Sequence, residues 1–226
     1  MLKALQQQLP LHTSLFRHCA WCSRWSGHID LYCERCWEKL FRERAPLAIH
    51  GSYNLPFPIY SLLQWNKESL QIGHLIRSLK GDWAEAVWSR LANRFSQEYC
   101  ALRGPISQDV LLVPAPAALA GARDHAFLWA EQLSRVFNTP LYNGLTRLSL
   151  GEQKKKTRFE RQKITMEDLQ NVPFAASKSF IFVDDLITTG ATAHAAWKAL
   201  GRPLHFQVWT VACRPRQPCG EGSILL

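Results

Sequence analysis

Two carboxylates stand side by side at Asp184 and Asp185, directly after the apolar run "FIFV" and directly before "LITTGAT". Ionised carboxylates only accept hydrogen bonds, so an adjacent pair suits a partner that presents two donors, as the vicinal hydroxyls of a ribose do. It suits equally a magnesium ion bridging carboxylate oxygens and a phosphate. The small residues that follow suit another part of a ligand. Gly190 permits a positive φ or close backbone approach, Thr188, Thr189 and Thr192 add hydroxyls, and the start of a helix leaves amides unpaired, which together make a phosphate cradle. The run lacks the lysine of a Walker loop and the spacing of a dinucleotide fingerprint, so nucleoside triphosphate hydrolysis and hydride transfer are poorly supported.

A second chemical cluster lies near the start of the chain. Cys19, Cys22, Cys33 and Cys36 form C-x2-C, ten intervening residues, and C-x2-C again. Four thiolates at ~2.3 Å can close a tetrahedral zinc site with no open position for water, which is the structural rather than the catalytic type. Two disulfides, four free thiols or an iron–sulfur cluster are the lesser readings. His18 and His28 lie nearby, but four cysteines leave them no vacancy. Cys100 and Cys213 read as small core residues, since free cysteine is commonly buried.

The elements that must position these groups alternate. "DVLLVP" (109–114), "PLYNGLTRL" (140–148), "SFIFV" (179–183) and "HFQVWTVAC" (205–213) read as strands. Helices are expected from Asn66 to Gly81, with Leu70, His74, Leu75 and Leu79 on one face, and from Asp82, with Trp83, Val87, Trp88, Leu91, Ala92 and Phe95 on another. Two more are expected over 123–137, with Phe127, Leu128, Trp129, Leu133 and Val136, and over 190–200. A short helix stopped by Pro46 follows the cysteines, and "HGSYNLPFPIY" reads as an extended connection. Strands alternating with helices give an α/β fold, a mostly parallel sheet flanked by helices, with ligands bound outside the carboxyl ends of the strands. The acid pair is expected where the third strand leaves the sheet.

The chain divides into a zinc-knuckle module at 1–50 and an α/β domain at 51–226. Its 226 residues are 47% hydrophobic, enough for a good-sized core plus a small module. A formal charge of +9 points to an anionic partner: nucleic acid, a phosphorylated metabolite or acidic lipid. No run approaches the ~18 apolar residues of a membrane span, and the first residues lack a signal-peptide pattern, so a soluble, cytoplasmic protein is expected. The basic run 152–163 reads as a loop that closes over the site, contacts a DNA backbone or is a solvated surface. Most tryptophans fall at core positions, including Trp197 and Trp209; Trp21, Trp25 and Trp37, beside basic residues, are the candidate base-stacking platforms.

"VDDLITTGAT" resembles the signature of the type I phosphoribosyltransferases. That resemblance implies that Asp184 and Asp185 take the ribose diol of phosphoribosyl pyrophosphate, with magnesium, and that Leu186, Ile187, Thr188, Thr189, Gly190, Ala191 and Thr192 wrap its 5-phosphate. Joined to the cysteine knuckles, to "LIRSLKGDW", to "DVLLVPAP" and to the Gln-containing basic loop, the chain resembles the ComF family of competence proteins, which includes the GntX-type bacterial proteins. The resemblance covers nearly the whole chain. It implies Lys80, Arg123, Gln153, Lys156, Arg158 and Arg161 as pyrophosphate-side or hood-loop residues. The family's Arg-Gly-Phe-Asn-like turn is replaced by "HAFL" at 125–128, and no general base stands out, Asp184 and Asp185 being the candidate catalytic residues. The family role implied is natural transformation, handling internalised single-stranded DNA with a helicase or recombination mediator; the other reading is an active phosphoribosyltransferase on an acceptor the sequence does not name.

Overall fold

The computed structural model describes residues 18–19, 21–25, 32–42, 47–49, 55–65, 70–79, 85–117, 124–147, 165–168 and 179–214. In chain order these form α1 (Glu34–Arg42), β1 (Ala48–Ile49), β2 (Ile59–Gln64), α2 (Leu70–Ser78), α3 (Glu85–Arg103), β3 (Val110–Pro114), α4 (His125–Phe137), β4 (Leu145–Arg147), β5 (Met166–Asp168), β6 (Ser179–Ile187), α5 (Ala191–Ala199) and β7 (Phe206–Cys213). Five strands make one sheet in the order β1-β2-β7-β6-β3, parallel except for β1. The mostly parallel sheet flanked by helices is therefore present.

Parallel strands covered on both faces carry continuous apolar runs, as Phe180–Val183 of β6 and Val211–Cys213 of β7 do. Ile181 and Val183 of β6 and Trp209 and Val211 of β7 pack into one layer with Leu75 of α2, Trp88, Leu91 and Phe95 of α3, and Trp129 and Leu133 of α4. Phe180, Phe182 and Val208 pack on the other face against Ala193, Ala196 and Leu200 around α5. The small side chains of α5 let it lie close to the sheet. Trp209 is the aromatic centre of the first layer, with ring centroids 5.0 Å from Phe95, 4.7 Å from Tyr99 and 4.8 Å from Phe137. Such pairs add roughly 0.5–1.5 kcal/mol each beyond their burial.

Several expectations change. Ile59 and Tyr60, expected at the end of a connection, instead open strand β2, "IYSLLQ", with five consecutive buried residues, paired to β7 from Ile59↔Val208 to Gln64↔Cys213. "PLYNGLTRL" does not join the main sheet as a strand: Leu141 makes an isolated bridge to Leu112, and Leu145–Arg147 pairs antiparallel with β5 in a separate ribbon. Helix α3 runs on past Phe95 to Arg103, because Tyr99 continues its buried stripe. Cys100, expected in the core, is exposed, whereas Cys213 is buried. Val136 is also exposed. His74 is exposed too, its ring turned to the buried Tyr32, with Nδ1 3.4 Å from the phenol oxygen.

The cysteine module shares the helical layer's core. Cys19, Tyr32, Cys36, Trp37 and Leu40 belong to the same buried cluster as α2 and α3. Arg90 of α3 holds α1 in place, with its guanidinium 4.8 Å from the Trp37 ring and 2.6 Å from the Glu34 carboxylate. Trp37 is 1% exposed and stacks on Phe41, so it cannot serve as a base-stacking platform. A cleft of about 560 Å³ follows this seam, lined by Glu34, Glu38, Arg42, Arg90 and Arg94 among others. Its arginines are already paired, Arg42 to Glu38, Arg90 to Glu34 and Arg94 to Glu98, so the cleft is a charge-balanced seam and not an anion site.

Candidate functional site

The site is created by unequal strand lengths. β6 pairs with β3 only from Ser179 to Val183, where Ala115 closes the ladder by donating its N–H to the Val183 carbonyl at 2.8 Å. β7 stays beside β6 to Ile187↔Cys213. Asp184 and Asp185 thus lie inside β6, and not where it leaves the sheet, at the notch where β3 has stopped. The Thr210 hydroxyl on β7 donates to the Asp185 carbonyl at 3.1 Å and holds the strand there. The chain turns only at Thr188–Gly190, so Leu186 and Ile187 are strand residues, Ile187 buried, and the turn begins after them.

The two acids meet different surroundings. Asp184 is 8% exposed, and its Oδ1 accepts the Asp185 N–H at 3.0 Å. Burial, and then the neighbouring Asp185 charge, push its carboxyl well above the ordinary range, against a smaller pull from Arg147 of β4. Asp185 is about a quarter exposed. Burial would raise it too, but its partners His125, Asp184 and the Leu186 amide outweigh that and bring it below the ordinary value. His125 Nδ1 lies 3.3 Å from Asp185 Oδ2, and the Trp88 ring sits behind the imidazole at 6.2 Å. The surroundings thus push the two carboxyls in opposite directions, Asp184 toward its protonated form and Asp185 toward its ionised form.

Beyond the acids, Gly190 has φ +76° and begins α5 with no side-chain cap. A Cβ there would lie 2.6 Å from Leu55 Cδ1. Both features call for glycine. Thr188 and Thr189 are exposed, Ala191 and Thr192 half-buried, and Thr189 Oγ1 accepts the Ala191 N–H at 3.3 Å. The structure thus gathers Asp184, Asp185 and 188–192 around one strand end. Lys80, Arg123, Gln153, Lys156, Arg158 and Arg161 lie outside the described residues, as does the whole run 152–163. Sequence reasoning missed His125 as a partner of Asp185, because the contact spans 60 residues and no spacing encodes it. It missed Arg147 for the same reason. Asp124, expected inside a helix over 123–137, instead precedes its first residue His125 and caps α4 by accepting the Phe127 N–H at 3.2 Å.

The four sulfurs of Cys19, Cys22, Cys33 and Cys36 lie within 4.8 Å of one another, and Cys22 and Cys33 are 3.7 Å apart. Sulfurs of a tetrahedral zinc site at ~2.3 Å are about 3.8 Å apart, so the set fits a metal ion. None of the described cysteines forms a disulfide. Each half of the set is a tight turn. Cys19 N–H donates to the Arg24 carbonyl and Ser23 N–H to the Cys19 carbonyl, while Cys33 precedes α1 and its carbonyl accepts from Cys36 and Trp37. Burial raises the Cys19 thiol, but backbone N–H groups of Cys22, Cys33 and Trp21 turned toward it bring it down to about 7. Burial and the neighbouring thiols push Cys33 and Cys36 the other way, so without a metal the set holds one thiol drawn toward thiolate and two drawn away from it.

No family model matches the chain. It is 30% identical over 115 residues to competence protein ComFC of Bacillus subtilis (strain 168), covering 50% of this chain and 48% of that protein. The chain thus aligns with about half the length of this curated relative. No helix among the described residues is long and apolar enough to cross a membrane. In what it shares with known proteins, the chain is similar to a competence protein.

Proposed function

We propose that this chain is a ComF-type competence protein of the cytoplasm, with a type I phosphoribosyltransferase-like α/β domain over 51–226 and a zinc-knuckle module over 1–50. Its acid pair and glycine turn hold a 5-phosphoribosyl ligand, and it handles internalised single-stranded DNA together with a helicase or recombination mediator. The observation that carries the ligand reading is the placement of Asp184 and Asp185 at the β3–β6 notch, beside the glycine turn that begins α5. Acceptors suit a diol, while the helix-start amides beyond Ala191, whose N–H Thr189 Oγ1 takes, and the remaining threonine hydroxyls suit a phosphate. The similarity to ComFC supports the competence role, and the +9 charge supports a polyanionic partner. Residues 188–192 would hold the phosphate, with the acids and, where present, magnesium on the ribose side.

Titration calorimetry tests this on the wild-type chain and on the double variant Asp184→Asn, Asp185→Asn. The wild type should bind ribose 5-phosphate and the double variant should not; equal binding would remove the acids from the ligand site. Single-stranded DNA titrated into the same samples across a salt series should bind with a steep slope. Replacing Lys154, Lys155 and Lys156 by Gln should flatten that slope by about 0.7 for each DNA phosphate no longer neutralised. An unchanged slope would exclude the basic run from DNA binding.

A further inference from the structure

We propose that the cysteine module carries a thiol-oxidation site, at which a peroxide joins Cys22 to Cys33 as a disulfide across the two turns and so ends metal binding by the set. The inference builds on the metal reading of the four cysteines and is independent of any ligand at the acid pair. All four sulfurs can face one ion, within 4.8 Å of one another, but the residues do not face solvent equally. Cys19 and Cys36 are 1% and 6% exposed and belong to the core shared with α2 and α3. Cys22 is exposed and Cys33 half-buried. The set therefore divides into an inner and an outer pair, and each pair takes one cysteine from each C-x2-C.

That division decides which sulfurs an oxidant reaches, since access governs which thiol is oxidised first. Ser23, at φ +57°, turns the chain just after Cys22 and returns its N–H to the Cys19 carbonyl at 2.8 Å, leaving Cys19 in the core and Cys22 at the surface. Cys33 stands just before α1, whereas Cys36 lies on the buried face of that helix with Trp37 and Leu40. The Cys22 and Cys33 sulfurs are 3.7 Å apart, so only a small shift separates them from the ~2.05 Å of a disulfide. The Cys22 sulfur attacks one peroxide oxygen; an S–O bond forms, the O–O bond breaks and hydroxide leaves, giving the sulfenic acid. The Cys33 thiolate then attacks that sulfur; the S–S bond forms, the S–O bond breaks and a second hydroxide leaves. Two thiolates have lost two electrons, and the peroxide, with two protons, has become two waters. Cys19 and Cys36 remain, too few for a closed four-ligand site, and the metal is released. The disulfide keeps the two turns joined, so a thiol reductant reverses the step.

The test uses the intact chain loaded with zinc. Hydrogen peroxide is added stepwise, zinc release is followed with a colorimetric chelator, and disulfides are mapped by mass spectrometry of acid-quenched peptides. The first disulfide should join Cys22 to Cys33, one zinc should leave for each such disulfide, and dithiothreitol with added zinc should restore thiols and metal together. Cys100→Ser removes the other exposed thiol among the described residues and should leave zinc release unchanged. A first disulfide within either C-x2-C, between Cys19 and Cys36, or from Cys22 to Cys219 overturns the inference and leaves the metal reading standing. So does a set that keeps its zinc and four thiols once Cys100 is oxidised. Chain that takes up no zinc removes the metal reading itself, and the same mapping on it still decides whether Cys22 and Cys33 are the pair.

Discussion

Asp184→Asn should make the folded chain more stable at neutral pH while weakening the site. The Asp184 carboxyl is almost wholly buried, and in the folded chain it titrates well above its unfolded value of ~3.9. Between those two values the native state keeps a proton that the unfolded chain has released. Stability therefore falls as pH rises through that window, with a limiting slope of about 1.4 kcal/mol per pH unit for one proton. Asparagine reproduces the shape of the protonated acid: its Oδ1 can still accept the Asp185 N–H seen at 3.0 Å, and its Nδ2 can donate to the Asp185 carboxylate. The variant should match wild type near the unfolded value, pull ahead by up to that slope as pH rises, and then keep a constant lead. Asp185 works the other way, since its depressed folded value gives stability that is present above ~3.9 and lost only as pH falls further, outside this window. Urea unfolding at about pH 5 and about pH 8 reads the difference as a change in midpoint at constant m. A variant less stable than wild type at the higher pH, or one whose lead is the same at both, would refute the assignment of a costly buried carboxyl.

Two further outcomes concern the remaining parts of the fold. Elemental analysis should find about one zinc per chain, and Cys19→Ser should abolish it and loosen the packing around Trp37, seen as a red shift in tryptophan emission; zinc-free wild type with a fully ordered module would end the metal reading. Gly190→Ala should cost roughly 1–2 kcal/mol for placing a side chain at φ +76°, and should reduce ribose 5-phosphate affinity as Leu55 is displaced; unaltered stability by urea unfolding would show the turn to be more tolerant than its φ suggests.

The main sheet was legible wherever burial made a run apolar on both faces, as in "DVLLVP", "SFIFV" and "HFQVWTVAC". β2 was not, because Pro56 and Pro58 suggest a connection and the polar Ser61 interrupts the apolar run. The acid pair stood out in the sequence as a candidate site but not as strand. Charges argue for solvent, yet β7 and the Thr210 hydroxyl carry the ladder four residues past Val183. Trp37 looked exposed because basic residues surround it in sequence, whereas in space an arginine from α3 covers its ring. His125 and Arg147 were beyond reach, since each joins the acids through tertiary structure.

The burial of Trp37 bears on how single-stranded DNA could be held. Among the described residues of the cysteine module, Trp21 is half-buried, set edge-on to Tyr32 and approached by Lys39 at 5.6 Å. Trp25, 61% exposed, is the most accessible of the three indoles, with the His18 ring edge-on to it. Stacking is worth roughly 1–3 kcal/mol per base, so one platform contributes a small part of a useful affinity. The module's other aromatics are engaged in joining it to α3, where Arg90 and Arg94 lie over Trp37 and Phe41. In the proposed role, the described residues leave affinity for single strands to phosphate contacts, which would make it steeply salt-dependent and little affected by base identity. Trp25→Ala should accordingly lower affinity by no more than the stacking of one base and leave the salt slope unchanged. A loss of binding on that substitution alone would show that the module reads bases, against its role as a wall of the core.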